Sequence, residues 1–563
     1  MSSGRRKYVL PIGGVVLLSA FSLGVWRMSD ADLMFKIYQG VDTFSKVYKE
    51  IAVNYVDEVD PQRFMRAGVD GMLKTLDPYT VYIGENEGDE LDLVTTGKYA
   101  GVGITIGMRD GAVTVINLVD GFSAAKQGIE VGDRILDIDG KNMVGARPED
   151  VRALVRGLAG TEVKIKISRE GEPKPLEFAL LREEIPVKNV TYAGFVQPGV
   201  GYIRLDRFAR TAGDDVRNAI NDLKKRGELR GMVLDLRDNP GGLLDIAVSV
   251  VSKFVPEKSL IVSTRGRRSE ADRKYYSSES PMLPDVPLAI LVDRESASAS
   301  EIVAGAIQDL DRGVIVGERT FGKGLVQTIT RISETASVKI TTARYYTPSG
   351  RCIQEIDYSH RTRDGVFATI PDSLKRTFRT SHDRKVLDGG GVQPDSGVAE
   401  DENGKIIDEL LRKSMFFKFA NSYAVTHKNL TGDFQVTDNL LKEFESFLKE
   451  NKFQYQEESE TKLKELKQIA EKERYNKAFT DDVNQLSAMV DAEKQRTMQR
   501  YEKEMKIYLK TEIEGRINGE NARIESTFPD DQQLMVAADL VKNKKVYDRL
   551  LAVKPGKSST RQE

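Results

Sequence analysis

The chain has 563 residues, enough for about three to four domains. Its 84 basic and 86 acidic residues give a formal net charge of -2, which argues against a protein built mainly to bind nucleic acid or anionic lipid. The single cysteine, Cys352, excludes an intramolecular disulfide and an all-cysteine metal site, and the three histidines form no HExxH zinc motif. We therefore expect neither a metal nor a cofactor.

The N-terminus carries a membrane-targeting pattern. Arg5, Arg6 and Lys7 precede an uncharged apolar stretch from Tyr8 to Trp26, which is long enough to cross a bilayer. No A-x-A-like site follows it, so the pattern favours an uncleaved transmembrane anchor in residues 1-29 over a cleaved signal peptide. Either alternative exports the rest of the chain, and we expect a location on the periplasmic side of the inner membrane.

Residues 30-90 form a predicted helical segment. Within it, the spacing of Val69, Met72, Leu73 and Leu76 predicts a helix from Phe64 to Leu76 with one apolar face, ending before Asp77-Pro78.

Residues 91-182 change to short strands separated by turn signals. The strand-like segments are GVGITIG, AVTVINL, GDRILDIDGK and EVKIKI, with one helix-like segment, EDVRALVRGLAG. This pattern predicts a compact, mostly β module of under about a hundred residues.

Residues 183-400 alternate between strands and helices. The strand-like segments GYIRL, GMVLDLR, LAILVD and GVIVG are separated by helical stretches, which predicts an α/β core with crossover connections. Residues 401-563 read as a charged helical region. There, Met498, Tyr501, Met505 and Tyr508 form an apolar stripe that is too short to indicate a coiled coil.

A serine-rich turn lies between the strand LAILVD and a predicted helix in SASASEIVAGAIQDL, whose Ile302, Val303, Ala306, Ile307 and Leu310 share one face. Free backbone N-H groups and the positive end of the helix dipole would stabilise an oxyanion there. Serine is also a preferred helix N-cap, so Ser296, Ser298 and Ser300 have a purely structural alternative.

A lysine on a glycine-flanked loop follows downstream, in TFGKGLVQ. A desolvated Lys323 could act as a base for a serine nucleophile, whereas a solvated loop lysine is the ordinary alternative. The segment from Gly317 to Lys323 also fits GxxxxGK. It lacks the following Ser or Thr and continues as a β-like segment, which argues against a nucleotide-binding P-loop.

Taken together, SASASEIVAGAIQD and GERTFGKGLVQ resemble the motifs of the C-terminal processing (tail-specific) proteases, serine peptidases with a Ser-Lys dyad. YVDEVD, GMLKTLDPYT, DLRDNPGGLL, TTARYYTPSGRCIQ and GVQPD resemble further segments of that family in the same order. The resemblance covers roughly residues 35 to 400, and several ordered motifs make a chance match improbable.

The resemblance implies Ser298 as the nucleophile, Lys323 as the general base and Gln327 as the residue that orients the lysine. It selects Ser298 over its two neighbours, which spacing alone does not separate. The oxyanion donors would be the backbone N-H groups of Ala299 and Gly241, the latter in an Asn-Pro-Gly-Gly turn that is otherwise a tight strand-to-helix connection.

The resemblance also implies that the module at residues 91-182 is a PDZ domain. Gly101, Val102, Gly103 and Ile104 would bind the C-terminal carboxylate of a substrate, although a glycine pair in a β-hairpin is the structural alternative. Arg156 is a candidate sensor that contacts the catalytic core.

The sequence thus predicts an α/β multidomain serine endopeptidase with an inserted PDZ domain. Its partners would be protein substrates with accessible C-terminal tails and the membrane, with a homo-oligomer or an adaptor protein as further candidates and no nucleic acid. The alternative function is a catalytically inactive PDZ adaptor that binds protein C-termini.

Overall fold

The computed structural model describes residues 12-84, 96-334, 336-361, 367-369, 371-399, 403-427 and 434-551. The chain divides into two compact units. One contains residues 1-83 and 329-340, and the other contains residues 84-328 and 341-563.

The first unit contains two helices and a short strand pair. α1 spans Ile12–Asn54, α2 spans Pro61–Leu73, and β1 (Val81–Ile83) pairs antiparallel with residues 337-339. Asp60 caps α2 by accepting hydrogen bonds from the N-H groups of Gln62 and Arg63, and the ring of Phe64 stacks on Tyr48 of α1 at 5.4 Å.

The α2 boundaries differ from the predicted helix, Phe64 to Leu76. The helix begins at Pro61 because Asp60 is its N-cap and the ring of Pro61 fixes a φ angle that suits the first helical residue. It ends at Leu73, and the predicted apolar face is not buried, since Met72 is 54% exposed and Leu76 is 51% exposed.

The predicted transmembrane helix from Tyr8 to Trp26 is not supported. In the part of the chain that the structure describes, no helix is long and apolar enough to span a membrane. Residues 8 to 11 of the predicted span lie outside the described residues.

The second unit begins with a β module around one core. β3, β4, β5, β7 and β8 form its sheet in that order, β6 pairs with β5, and β2 pairs with β9 where the chain enters and leaves. The elements are β2 (Lys98–Gly101), β3 (Ile104–Arg109), β4 (Ala112–Leu118), α3 (Ser123–Gln127), β5 (Arg134–Ile138), β6 (Lys141–Asn142), α4 (Pro148–Val155), β7 (Glu162–Ser168), β8 (Leu176–Leu181) and β9 (Glu183–Pro186).

A six-stranded sheet forms the centre of the α/β core. Its order is β10-β11-β12-β15-β16-β23, antiparallel at the first pair and parallel elsewhere. The strands and the helices between them are β10 (Val190–Gln197), β11 (Val200–Leu205), α5 (Ala212–Arg226), β12 (Gly231–Asp235), α6 (Leu244–Ser252), β15 (Leu288–Val292), α7 (Ala299–Asp309), β16 (Val314–Gly317) and β23 (Ser396–Gly397).

A second, smaller sheet lies in the same part of the chain. β13 (Leu260–Gly266) pairs on one side with β14 (Arg273–Tyr276) and on the other with residues 343-346 of β18 (Ser337–Tyr346), and β17 (Leu325–Arg331) also pairs with β18. Two short hairpins follow, β19 (Ile356–Arg361) with β20 (Phe367–Thr369) and β21 (Thr377–Arg379) with β22 (Lys385–Leu387).

Helices cover both faces of the six-stranded sheet. α5, α6 and α7 pack on one face, around buried residues such as Ile203, Leu234 and Ile290. The other face, with Val233 and Leu291, packs against helices near the end of the chain. Burial on both faces explains why these strands read as continuous apolar runs.

The helical C-terminal region has two different packing environments. α8, α9, α10 and α14 share a core of their own, to which Met505 belongs, whereas α16 and α17 pack on the six-stranded sheet. The helices are α8 (Lys405–Arg412), α9 (Met415–Thr426), α10 (Asp438–Glu450), α11 (Glu458–Lys472), α12 (Lys477–Gln495), α13 (Thr497–Arg500), α14 (Glu502–Asn518), α15 (Glu520–Thr527), α16 (Gln532–Lys542) and α17 (Lys544–Leu551).

Specific polar contacts fix these last helices to the sheet. The Tyr547 hydroxyl accepts a hydrogen bond from the Leu288 N-H at 2.9 Å, and Arg237 bridges Asp235, at the end of β12, and Asp531, which caps α16, at 2.7 Å each. The last helices therefore form one layer of the α/β core.

Candidate active site

Ser298 lies at the N-terminus of α7, directly after the turn that follows β15. It is the N-cap residue and has φ 55° and ψ -108°, a conformation that non-glycine residues rarely adopt. Ala299 is the first helical residue, so its N-H has no acceptor within the helix. A strained serine beside a free helix N-terminus suits a nucleophile with an adjacent oxyanion donor.

The structure separates the three alternating serines. Ser296 and Ser300 are fully buried, and their hydroxyls donate to the carbonyl oxygens of Leu236 and Asn239, both at 2.8 Å. Ser298 is only partly buried. Ser298 is therefore the serine of this turn that a substrate can reach.

α7 is more deeply buried than its sequence pattern predicts. Every residue from Ala299 to Asp309 is buried, including those outside the predicted apolar face. The helix sits between the six-stranded sheet and the second sheet, whose Tyr345 belongs to the same core cluster. A rigid surrounding of this kind can hold a strained turn in place.

A buried carboxylate joins the serine turn to the lysine loop. Oε2 of Glu301 accepts hydrogen bonds from the backbone N-H groups of Ser298 (2.8 Å) and Lys323 (2.9 Å). Oε1 accepts from the Thr320 hydroxyl (2.6 Å) and the Gly322 N-H (2.7 Å). The backbones of the two candidate catalytic residues are thus held by one oxygen atom.

The charge state of Glu301 depends on two opposing effects. Burial raises the pKa of its carboxyl from the ordinary 4.5 to about 7, against the four hydrogen bonds, which lower the pKa. All four partners are donors, so the arrangement suits the ionised carboxylate. Sequence reasoning missed Glu301, although Ser298-x-x-Glu301 is a capping-box pattern that could have indicated it.

Tyr345 forms a second link between the two segments. Its side chain is buried, its hydroxyl donates to the Ser298 carbonyl oxygen at 3.1 Å, and its backbone N-H donates to the Gly324 carbonyl oxygen at 2.9 Å. No local sequence signal indicates this contact, because it depends on the pairing of β18 within the second sheet.

The remaining catalytic candidates are Lys323, in the loop before β17, and Gln327, in β17. Lys323 is half-buried, and Gln327 in β17 donates from Nε2 to the Thr341 hydroxyl at 3.2 Å, which orients its amide. Because Lys323 leads into a strand, the loop lacks the helix that a nucleotide-binding P-loop requires.

Gly241, the other residue predicted to contribute to an oxyanion hole, lies against the serine turn. A Cβ atom added at Gly241 would lie 2.7 Å from the Ala297 carbonyl oxygen and 2.9 Å from Ser298 Cβ, so only glycine fits. Its N-H donates to Asn239 Oδ1 at 2.9 Å. To stabilise an oxyanion, the Gly241 N-H would have to share or break its hydrogen bond to Asn239 Oδ1.

The predicted tail-binding loop joins β2 to β3. Gly101 ends β2 and Ile104 begins β3, while the carbonyl oxygens of Val102 and Gly103 accept from the N-H groups of Ala124 and Val119, both at 2.9 Å. Gly103 has φ 87°, and an added Cβ would lie 2.8 Å from Phe122 Cβ. The loop therefore has a fixed shape.

Arg156 lies next to this loop, at the end of α4. Its guanidinium group stacks over the ring of Tyr99 at 5.3 Å. The structure thus places Arg156 beside the predicted tail-binding loop.

Metal ligation finds no support in the described ranges of the chain, where no group of three or more His, Cys, Asp or Glu side chains is arranged to hold an ion.

Models of known protein families match four parts of the chain. They are "Activating protease CtpB N-terminal domain" at residues 28-87, "PDZ domain" at 90-168, "Peptidase family S41" at 199-360 and "Probable PDZ-protease, C-terminal helical domain" at 406-541. The carboxy-terminal-processing protease of Bartonella bacilliformis is 37% identical over 354 residues, which cover 62% of this chain and 81% of that protein.

The chain belongs to the carboxy-terminal processing proteases. The carboxy-terminal processing protease CtpB of Bacillus subtilis is 32% identical over 56% of this chain and 66% of its own length. Among solved structures, the photosystem II D1 C-terminal processing protease is 28% identical, covers 63% of this chain and 86% of its own, and has a TM-score of 0.35.

Membership of this family confirms the α/β protease core and the PDZ domain predicted from the sequence. A PDZ domain implies binding of peptide C-termini. The individual roles of Ser298, Lys323 and Gln327, and of the oxyanion and loop residues, remain predictions.

Proposed function

We propose that this carboxy-terminal processing protease is a serine endopeptidase that binds the C-terminal tails of protein substrates and cleaves them by a Ser298-Lys323 dyad. One observation carries the proposal. Ser298 is an accessible serine in a strained conformation, and Lys323 is half-buried. The backbone N-H groups of both residues donate to the same carboxylate oxygen of Glu301.

The chemistry would proceed in two steps. The neutral amine of Lys323 takes the proton from Ser298 Oγ, which attacks the scissile carbonyl carbon and forms a tetrahedral oxyanion beside the Ala299 N-H. The C-N bond then breaks, the leaving amine takes the proton from Lys323, and an acyl ester remains on Ser298. A water molecule, deprotonated by the lysine, hydrolyses this ester and restores the serine.

Two substitutions test the dyad directly. The full chain is incubated with peptides that carry a fixed cleavable segment and either a free or an amidated C-terminus. Ser298→Ala and Lys323→Ala should each abolish cleavage, whereas the exposed control variants Ser278→Ala and Lys225→Ala should retain it. Cleavage that survives either dyad substitution would falsify the assignment.

Tail binding is measured separately, by fluorescence anisotropy with the Ser298→Ala variant. We expect the free C-terminus to bind more tightly than the amidated one, because backbone N-H groups in the loop from Gly101 to Ile104 would hold a carboxylate. Tail binding without any cleavage by the wild-type chain would instead support the adaptor alternative.

We also propose a location on the periplasmic side of the inner membrane. The proposal rests on the basic residues Arg5 to Lys7 before the apolar stretch from Tyr8 to Trp26. Cell fractionation of the full chain, with and without Leu17→Arg and Leu18→Arg, tests it: membrane association should depend on the apolar stretch.

A further inference from the structure

An arginine-rich patch covers part of the second sheet. It consists of five exposed basic residues, three on one face of β13, β14 and β18 and two in the connection between β13 and β14: Arg265, Lys274, Arg344, Arg267 and Arg268. In the ranges that the structure describes, none of the five forms an ion pair with a carboxylate. A concentration of unpaired cations is unexpected in a chain whose net charge is only -2.

The sheet register places like charges directly beside one another. Arg265 on β13 stands opposite Arg344 on β18, and Lys274 on β14 stands opposite Ser263, two residues before Arg265 on the same face. Like charges directly opposite across a sheet disfavour folding. The Arg265 guanidinium stacks on the ring of Tyr346 at 4.4 Å, which keeps it on the sheet face.

The nearby acidic side chains do not neutralise the patch. Glu270 and Asp272, the two acids between β13 and β14, are exposed and offset only part of its positive charge. Glu279 pairs with Lys253 and Arg217 instead. The face therefore retains a positive charge and guanidinium donors that a partner can use.

The patch and the candidate active site meet at β18, on opposite faces of the second sheet. Tyr345, which contacts Ser298 and Gly324, is buried, whereas its neighbour Arg344 is exposed because successive side chains of a strand point to opposite faces. A substrate in the site would therefore reach the patch by continuing as an extended segment around the edge of the sheet, at about 3.3 Å per residue.

We propose that the arginine-rich patch binds an acidic segment of the polypeptide substrate while another part of that substrate occupies the active site. The inference rests on the proposed proteolytic function and names a substrate class for it. Guanidinium groups bind carboxylates in a planar, two-pronged geometry, and two arginines side by side suit neighbouring acidic side chains. The patch would thus add selectivity for internal acidic sequence to the recognition of the tail.

The test uses the full chain and two peptides that share one cleavable segment and one C-terminal tail. One peptide carries a block of glutamates near the cleavable segment, and the other carries glutamines. The ratio of their kcat/KM values is measured at low and high salt for the wild type, for Arg265→Gln/Arg344→Gln, and for the control Lys442→Gln/Lys449→Gln on α10.

We expect the wild type to prefer the acidic peptide at low salt and to lose most of the preference at high salt. Two exposed ion pairs should make the preference about threefold to tenfold. The double arginine variant should lower the ratio towards one, and the lysine control should keep the wild-type ratio. Equal cleavage of both peptides by the wild type, or an unchanged ratio in the arginine variant, would overturn the inference.

Two further measurements separate the outcomes. If the wild type cleaves neither peptide, the proposed function fails first, and anisotropy of the acidic peptide on the Ser298→Ala chain then tests the patch alone. Binding to vesicles that contain phosphatidylglycerol, compared with phosphatidylcholine, is measured in parallel. Vesicle binding that depends on Arg265 and Arg344, together with an unchanged peptide ratio, would assign the patch to the membrane surface and refute the substrate proposal.

Discussion

Replacing Glu301 with glutamine tests whether this carboxylate assembles the active site. The carboxylate accepts four hydrogen bonds, two on each oxygen. A glutamine keeps one acceptor oxygen and presents an NH2 group to the other two donors, so either orientation of the amide leaves two buried donors unsatisfied. At about 1-3 kcal/mol for each, the loss in free energy of unfolding is about 2-6 kcal/mol.

The same substitution separates two opposite effects of pH. The pKa of Glu301 in the folded chain, about 7, lies above its ordinary value of 4.5. Its contribution to stability is therefore fully present below pH 4.5 and is lost as the pH rises through about 7, a change of about 3 kcal/mol. Activity should instead increase as the pH rises through about 7, because the ionised carboxylate accepts hydrogen bonds from all four donors.

Urea denaturation and peptide cleavage across this pH range provide the assay, with the exposed Glu228→Gln as the matched control. We expect Glu301→Gln to be less stable, to cleave poorly at every pH, and to lack the rise in activity near pH 7. If its unfolding free energy and its pH profile both match those of the wild type, the idea that Glu301 joins Ser298 to Lys323 is wrong.

Three further substitutions test other parts of the structure. Tyr345→Phe removes the hydrogen bond to the Ser298 carbonyl oxygen, so kcat should fall while KM for a tailed peptide stays unchanged; an equal rise in KM would contradict a positioning role. Gly103→Ala combines a positive φ with a close approach to Phe122, so tail affinity measured by anisotropy should fall, whereas Gly111→Ala, with a similar φ and open space, serves as the control for strain. Leu534→Ala, in α16 on the core sheet, should lower the free energy of unfolding by about 2-5 kcal/mol in urea denaturation, and a value near zero would show that this layer is dispensable.

The sequence predicts the parts of the site that depend on local pattern. The turn after LAILVD, the helix that follows it and the glycine-flanked lysine are all found where their spacing places them. The difference between Ser298 and its neighbours is not local, since the hydroxyls of Ser296 and Ser300 are taken up by carbonyl groups from the distant segments at Leu236 and Asn239.

Contacts between distant segments limit what the sequence can predict of the fold. The pattern of α7 predicts one apolar face, yet the helix is buried on all sides because a second sheet packs over it. Charged helical sequence near the end of the chain predicts helices but not their partners, and α16 and α17 in fact complete the core. The hydrogen bond from the Tyr345 hydroxyl to the Ser298 carbonyl oxygen depends on the pairing of strands that are far apart in sequence.

The packing of α16 and α17 on the core sheet has a consequence for the order in which the protein becomes functional. The strand that leads to Ser298 has one face against Leu534 and Val541, which follow the nucleophile by more than two hundred residues. That face therefore stays uncovered until the residues of α16 and α17 have been synthesised. The residues that precede them cannot complete the sheet that positions Ser298.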